Sequence, residues 1–483
     1  MDDIKPASKP SEVSRRAVVR GAAWSAPIII TAAAAPAWAA SCLPDSTLFN
    51  ASAQGRLLSG TLGGTNLDAV ASLNGAVANA TASSQPAVEV SNPLSVSALS
   101  AITVNLGGVA TALSSILTIP TNVPVGIINQ YARAVNDGTS TGASGAIANN
   151  GTIQLDTSSG VPQLATLDLR TILQNATGSP ELTALLSNVT ALNAQIGAVA
   201  GRSFIDAQCR LAGVPTVATR EYLLGSLRVA AVSPVVGALL SSLGSLSINT
   251  TTLLTALQGI PIVGPLLAGV GPALVSASVT ANTGALTNAS IPSSGNNPVT
   301  INFGAGSVVV DLAALLGGAY TGAQSPFLNN RAPNTRLFVE AGLPANALGN
   351  AIGTLADGLL AALLNVITVN INVAGIVTAT GTLNNLSIGV VGIPVLLPGT
   401  VAAIRQAITT AVRDAIVTAL GSTNVLLQNL FSVLTNVLNF TINAQTSGSG
   451  VFDVAALRIN VLSAANLLDV RLGRGITGPN SPR

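Results

Sequence analysis

Two stretches near the end of the chain alternate apolar residues with Asn or Thr. They are Val366 to Val373, as Val-Ile-Thr-Val-Asn-Ile-Asn-Val, and Val437 to Ala444, as Val-Leu-Asn-Phe-Thr-Ile-Asn-Ala. Period 2 sends successive side chains to opposite faces, so both predict half-buried antiparallel strands with one polar face. A period of 3.6 governs other segments. Glu181 to Gly197 places Leu182, Leu185, Leu186, Val189, Leu192 and Ile196 at helical spacing behind a Ser179-Pro180 start. Val401, Ile404, Ile408, Val412, Ile416 and Leu420 form one apolar stripe, with Arg405 and Arg413 largely off it, which predicts an amphipathic helix. Asn136-Asp137-Gly138 and Asn149-Asn150-Gly151 are hairpin-type turn signals flanked by segments that read as strands.

Charge is distributed unevenly along this pattern. Residues 229 to 310, Gly358 to Ile404 and Ala415 to Phe452 carry no charged side chain. Within these tracts a Leu-rich segment leads repeatedly into an alternating strand and a Gly or Asn turn, at Leu253 to Thr283, Leu359 to Gly381 and Val425 to Gly450. The expected fold class is β-rich α+β, with antiparallel strands in loosely repeated helix-plus-hairpin modules around a Leu, Val, Ile and Ala core. The expected division is a signal peptide over 1–39, an N-terminal region of short strands and a helix over 40–228, and the uncharged repeat region over 229–483.

Composition narrows the surface chemistry. Only 8% of residues are charged and 3% aromatic, so Thr, Ser and Asn occupy positions where Lys and Glu usually stand. Val263 to Val279 is apolar enough to suggest a membrane span, but it holds two prolines and three glycines without basic or aromatic flanks and reads as buried core. An outer-membrane barrel needs aromatic girdles that this composition does not supply. No transmembrane segment is expected in the mature chain.

The first forty residues point to export. Arg15 and Arg16 precede an apolar run from about Ala22 to Ala35, and Ala37-Trp38-Ala39 supplies a small-x-small cleavage pattern. This is read as a twin-arginine signal cleaved after Ala39. Lys5, Lys9, Arg15, Arg16 and Arg20 leave with it, five of 20 basic residues, and Asp2, Asp3 and Glu12 leave as three of 18 acidic ones. What remains is 15 arginines against 15 carboxylates, with neither lysine nor histidine. Such a surface has no basic patch for phosphates, which excludes nucleic-acid binding, and zero net charge lowers repulsion between copies. Cys42 and Cys209 form an even pair, expected to be a disulfide in an oxidising compartment. The rival reading makes Cys42 an acylated lipobox cysteine, against which the third preceding position, usually a branched apolar residue, is Ala39.

Missing residue types exclude much catalysis. Without histidine there is no Ser-His-Asp or Cys-His arrangement and no imidazole metal site. Without lysine there is no Schiff base, Ser-Lys dyad or P-loop. Carboxylate chemistry remains open, with Asp168, Glu181, Asp206, Glu221, Asp311 and Glu340 as candidates in principle, although none sits in a nominating pattern. Arg202, Asp206 and Arg210 lie at spacings of four and read as ion partners on one helical face. No catalytic, cofactor-binding or metal-ligating residue is nominated, and no cofactor is expected.

The Gly-rich opening Ala53-Gln54-Gly55-Arg56-Leu57-Leu58-Ser59-Gly60, followed by Asn66-Leu67-Asp68 and Val77-Ala78-Asn79, and the later Phe452-Asp453-Val454-Ala455-Ala456-Leu457-Arg458 resemble the choice-of-anchor G surface proteins of high-GC Gram-positive bacteria. The resemblance implies an exported, envelope-associated ectodomain. Gly475 to Arg483 carries no LPxTG-type motif, so retention at the envelope is expected to be non-covalent, through lattice assembly, or absent. The expected function is a structural or interaction protein of the envelope, adhesive or self-associating. The alternatives are a carboxylate hydrolase, an envelope pore, and an ice- or surface-binding protein using Thr368, Asn370 and Asn372, a strand without a regular Thr-x-Thr ladder.

Overall fold

A computed structural model describes residues 47–482 apart from 82–86, 94–100, 107–108, 120–127, 156–162, 176–178, 207–216, 294–295, 321–323, 345 and 463–466. Arg15, Arg16, Ala37, Ala39, Cys42 and Cys209 therefore lie outside the described residues, with the signal, cleavage and disulfide assignments that rest on them.

The chain is β-rich α+β, and its sheets are antiparallel throughout. One sheet is closed by the two ends of the described chain. Phe49–Leu62 pairs with Leu468–Thr477, which continues through Val451–Val461 to Leu438–Gly448. A second sheet runs Thr219–Leu224, Val199–Ile205, Ser140–Ala146, Ile128–Val135, Ala87–Ser91. These two sheets pack face to face through small side chains. Gly55 sits against the Ala143 carbonyl, Gly142 against that of Gln54, and Gly201 against that of Gly473, where any Cβ would collide with backbone. Ordinary sheets stack about 10 Å apart because side chains separate them. Here glycine removes the spacer, and Ser144 and Ser203 use the closeness: Ser144 Oγ donates to the Arg56 and Arg474 carbonyls at 2.9 Å, and Ser203 Oγ lies 2.7 Å from Thr477 Oγ1.

Two long strands bend out of this sandwich. Val199–Ile205 is preceded by Ala191–Gly197, and Thr219–Leu224 is followed by Leu227–Val232, so one hairpin serves two sheets. Its second half, with Ser307–Asp311 and Gln163–Asp168 on either side, lies in a seven-stranded sheet. The helical spacing expected over Glu181 to Gly197 holds only for Pro180–Asn188, capped by the Ser179 hydroxyl. Beyond it Leu192, Ala194 and Ile196 are buried at period 2, because β-branched Val189 and Thr190 lead into a strand. Likewise Arg202 stands on a strand rather than a helical face, opposite Glu221. The 228/229 boundary falls within Leu227–Val232, and residues on both sides of it share one apolar core.

The Leu-rich segments of the uncharged tracts are helices, each leading to a strand: Thr250–Gln258 to Val275–Ala281, Ala347–Leu363 to Ile367–Val373, and Gly421–Asn436 to Leu438–Gly448. Pro398–Ala419 buries Ile404, Ile408, Val412 and Ile416, the stripe read from the sequence. Among the described residues no single helix is long and apolar enough to cross a membrane; Pro398–Ala419 and Gly421–Asn436 qualify only together and are bent by 53°. Val263 to Val279 forms short 3-10 turns and the start of the Val275–Ala281 strand.

Candidate functional site

The polar alternation of Ile367–Val373 belongs to a five-stranded sheet with the order Ser245–Leu246, Val275–Ala281, Ile367–Val373, Val377–Thr382, Leu386–Val390. Val279, Ile367, Val369, Ile371, Val377 and Ala379 turn inward and are buried. Helices Pro234–Gly244, Thr250–Gln258 and Pro398–Ala419 pack against the strands at this end of the chain. The alternate residues face outward, and the pairing aligns them in rows across the strands. One row is Ser245, Thr280, Thr368, Thr382; the next is Ser278, Asn370, Thr380, Ser387; the third is Ser276, Asn372, Thr378, Gly389. Strand spacing of about 4.8 Å and a two-residue repeat of about 7 Å make this a regular two-dimensional array.

The chemistry of the array is uniform. Every side chain in it is a hydroxyl or a carboxamide, and all but Thr382 belong to exposed residues. Asn372 Oδ1 accepts the Gly375 amide at 2.8 Å and Thr382 Oγ1 the Asn385 amide at 3.3 Å, both closing turns. None of the other side chains in the rows is hydrogen-bonded to a described residue. Gly389 leaves room for Thr378, whose Oγ1 would lie 3.0 Å from a Cβ placed there. At the end closed by the Ala374-Gly375 turn, the array meets exposed apolar side chains, Leu274 and Val391.

Thr368, Asn370 and Asn372 are thus brought together with two strands that the sequence reading did not assign to them. The Thr-x-Thr ladder missing from Ile367–Val373 stands on the next strand as Thr378-Ala379-Thr380-Gly381-Thr382. Its period-2 alternation was the available signal, as was Val275 to Ala281, Val-Ser-Ala-Ser-Val-Thr-Ala.

The candidate carboxylates are not gathered at this face. Asp168 caps Leu169–Leu173 by accepting the Thr171 amide at 3.0 Å, and Glu181 accepts the Ser179 hydroxyl at 2.8 Å. Glu221 pairs with Arg202 at 2.8 Å and Glu340 with Arg336 at 2.7 Å. Asp206 is exposed just past Val199–Ile205. Asp311 takes the Arg228 Nε at 2.8 Å, the Tyr320 hydroxyl, and the amides of Ala313 and Ala314. Groups of three or more His, Cys, Asp or Glu able to hold a metal are absent among the described residues.

Much of the scarce charge collects instead on the outer face of the sheet closed by the chain ends. Asp453 accepts from Arg474 at 2.8 Å and from Arg471 at 3.1 Å, Asp469 is held in a two-point pair by Arg458 at 2.7 and 2.8 Å, and Asp68 meets Arg56 at 2.7 Å. Burial opposes the charge on Arg474, but the hydrogen bonds and charge of Asp453 outweigh it and hold the guanidinium above its ordinary value. At Arg56 burial wins over Asp68 and lowers it. Arg56 and Asp68 come from the early stretch and Asp453 and Arg458 from the later one, and the pairing of Phe49–Leu62 with Leu468–Thr477 unites them.

The chain belongs to the family described as a domain of unknown function, DUF8394, which matches residues 53–478. No curated protein and no solved structure matches it.

Proposed function

We propose that this is an exported structural or interaction protein whose working surface is the Ser/Thr/Asn array, and that its partner is an uncharged, hydroxyl-rich ordered surface, in the first place packed envelope polysaccharide. The observation that carries the reading is the set of outward hydroxyls and amides in register across the sheet, of which all but Asn372 and Thr382 bond to no described residue. A repeating surface is met by a repeating array, each contact weak and the sum large. The absence of charge removes long-range attraction to ionic partners. The export signal at Arg15 and Arg16 and the resemblance to choice-of-anchor G surface proteins support the envelope as its setting.

The test is co-sedimentation of the protein with isolated envelopes and with neutral polysaccharide particles. Asn370 and Thr380 are direct cross-strand neighbours at the middle of the array. Asn370→Lys/Thr380→Lys is expected to abolish binding without loss of fold. Thermal hysteresis is measured in parallel, because the threonine ladder also suits ice; hysteresis that the same variant removes would replace polysaccharide by ice as the occupant. A double variant that binds as the parent protein does, or a parent protein that binds neither solid, defeats the reading.

A further inference from the structure

A cavity elsewhere in the fold gathers polar side chains whose presence no packing explains. It has a volume of about 300 Å3 and lies on the seven-stranded sheet, beside the segments that carry Pro292, Ser293, Asn296 and Tyr320. The register explains its floor. Gln195, Arg228 and Asp311 are successive cross-strand partners, and Val309 is the partner of Thr300. Leu227, Val229, Val308, Val310 and Ile301 are buried in the core, so these alternate residues turn the other way.

Inside the cavity the charges are already matched. Arg228 donates to Asp311, and Asp311 also takes both Tyr320 contacts at 2.9 and 3.0 Å. An anionic ligand meets the Asp311 carboxylate, and a cationic one meets Arg228. Polar groups left over are neutral: the side chains of Gln195, Ser293 and Thr300 line the cavity and make no hydrogen bond to another described residue. Between them lie apolar Val309 and Pro292 and the ring of Tyr320, one of three tyrosines in the chain.

We infer that this cavity is a binding site for one neutral sugar ring. Hydroxyls around a pyranose or furanose satisfy an amide on one side and two hydroxyls on others, while the ring's C–H groups lie on Val309, Pro292 and Tyr320. The size is at the lower end for small-molecule sites, which suits a single ring rather than a chain. A zwitterion is disfavoured because the site's two charges neutralise each other. The site is independent of the Ser/Thr/Asn array, shares no residue with it, and stands if that reading fails.

Titration calorimetry with a panel of neutral hexoses and pentoses tests it, with glucosamine and glucuronate as charged analogues. At least one neutral sugar is expected to bind saturably, with a Kd on the order of 1 mM or tighter, and more tightly than either charged analogue. Gln195→Ala/Thr300→Val is expected to weaken that binding about tenfold, the scale of losing hydrogen bonds to ligand, while melting where the parent does. Should the double variant melt early, Ser293→Ala repeats the test at an exposed residue. No saturable binding by any neutral sugar, preference for a charged analogue, or unchanged affinity in the variants overturns the assignment.

Discussion

Arg56 and Arg474 stand directly opposite each other on neighbouring strands, the first and the last long ones among the described residues. Like charges so placed repel, and the arrangement holds because Asp68 and Asp453 flank the pair. Arg474 reaches both, Asp453 at 2.8 Å and Asp68 at 3.9 Å.

Asp453 is the member on which most depends, since its side chain is 5% exposed and serves two arginines. Asp453→Ala removes the closest carboxylate from both and leaves Arg474 only Asp68 at 3.9 Å, and a loss of about 3 kcal/mol is expected in urea unfolding. Asp453→Asn keeps the shape and part of the hydrogen bonding, so a smaller loss is expected. Equal stability of Asp453→Ala and the parent protein refutes the account.

The glycines between the two sandwich sheets make a second prediction. Gly55→Ala and Gly201→Ala each insert a methyl where backbone carbonyls already stand, so the sheets must part locally. Each is expected to cost about 1–3 kcal/mol or more, read as a fall in thermal midpoint. Gly64→Ala, with open space around its Cβ position but φ at +75°, costs about 1 kcal/mol through backbone strain alone.

Alkaline pH gives a third. Burial pushes Tyr222 up to about 12, and burial with the neighbouring carboxylates raises Tyr320 and Tyr131. Below the ordinary value near 10 the phenols are neutral in both folded and unfolded chains, and nothing is lost. As pH rises beyond it the unfolded tyrosines ionise and the folded ones resist, so stability falls, for Tyr222 by about 2 kcal/mol at pH 12. Tyrosinate absorbance is therefore expected to lag its ordinary titration and to rise together with loss of circular dichroism. In Asp311→Asn the Tyr320 step moves to lower pH.

Substitutions within the array test the opposite expectation. Thr368→Val and Thr380→Val remove hydroxyls that bond to no described residue, so stability is expected to change by less than about 0.5 kcal/mol. A large loss in either shows that those hydroxyls serve the fold.

What was legible in the sequence followed from local period. Ile367–Val373, Leu438–Gly448 and Pro398–Ala419 each carry one unbroken periodicity, and the structure has them within a few residues of expectation. Pro180–Asn188 was overextended because Leu192 and Ile196 satisfy helical and strand spacing alike. Gly55, Gly142 and Gly201 stand in mid-strand, where they mark the close approach of another backbone. The charge network, the cavity and the rows of the array were not legible, since each is assembled by strand pairing between segments far apart in the chain.

That the strand at 49–62 pairs with the one at 468–477 has a bearing on biogenesis. Synthesis delivers the N-terminal strand long before its partner exists, so its edge waits while everything between is made. Folding that depends on such distant contacts is slow, and an open edge is a site for wrong pairing. The local meander of 438–448, 451–461 and 468–477 forms late in synthesis and then captures the waiting strand. A chain truncated at 462 is accordingly expected to stay protease-sensitive along its whole first sheet, and the arrival of the 468–477 strand, rather than of any earlier segment, is the event that commits that sheet to the native state.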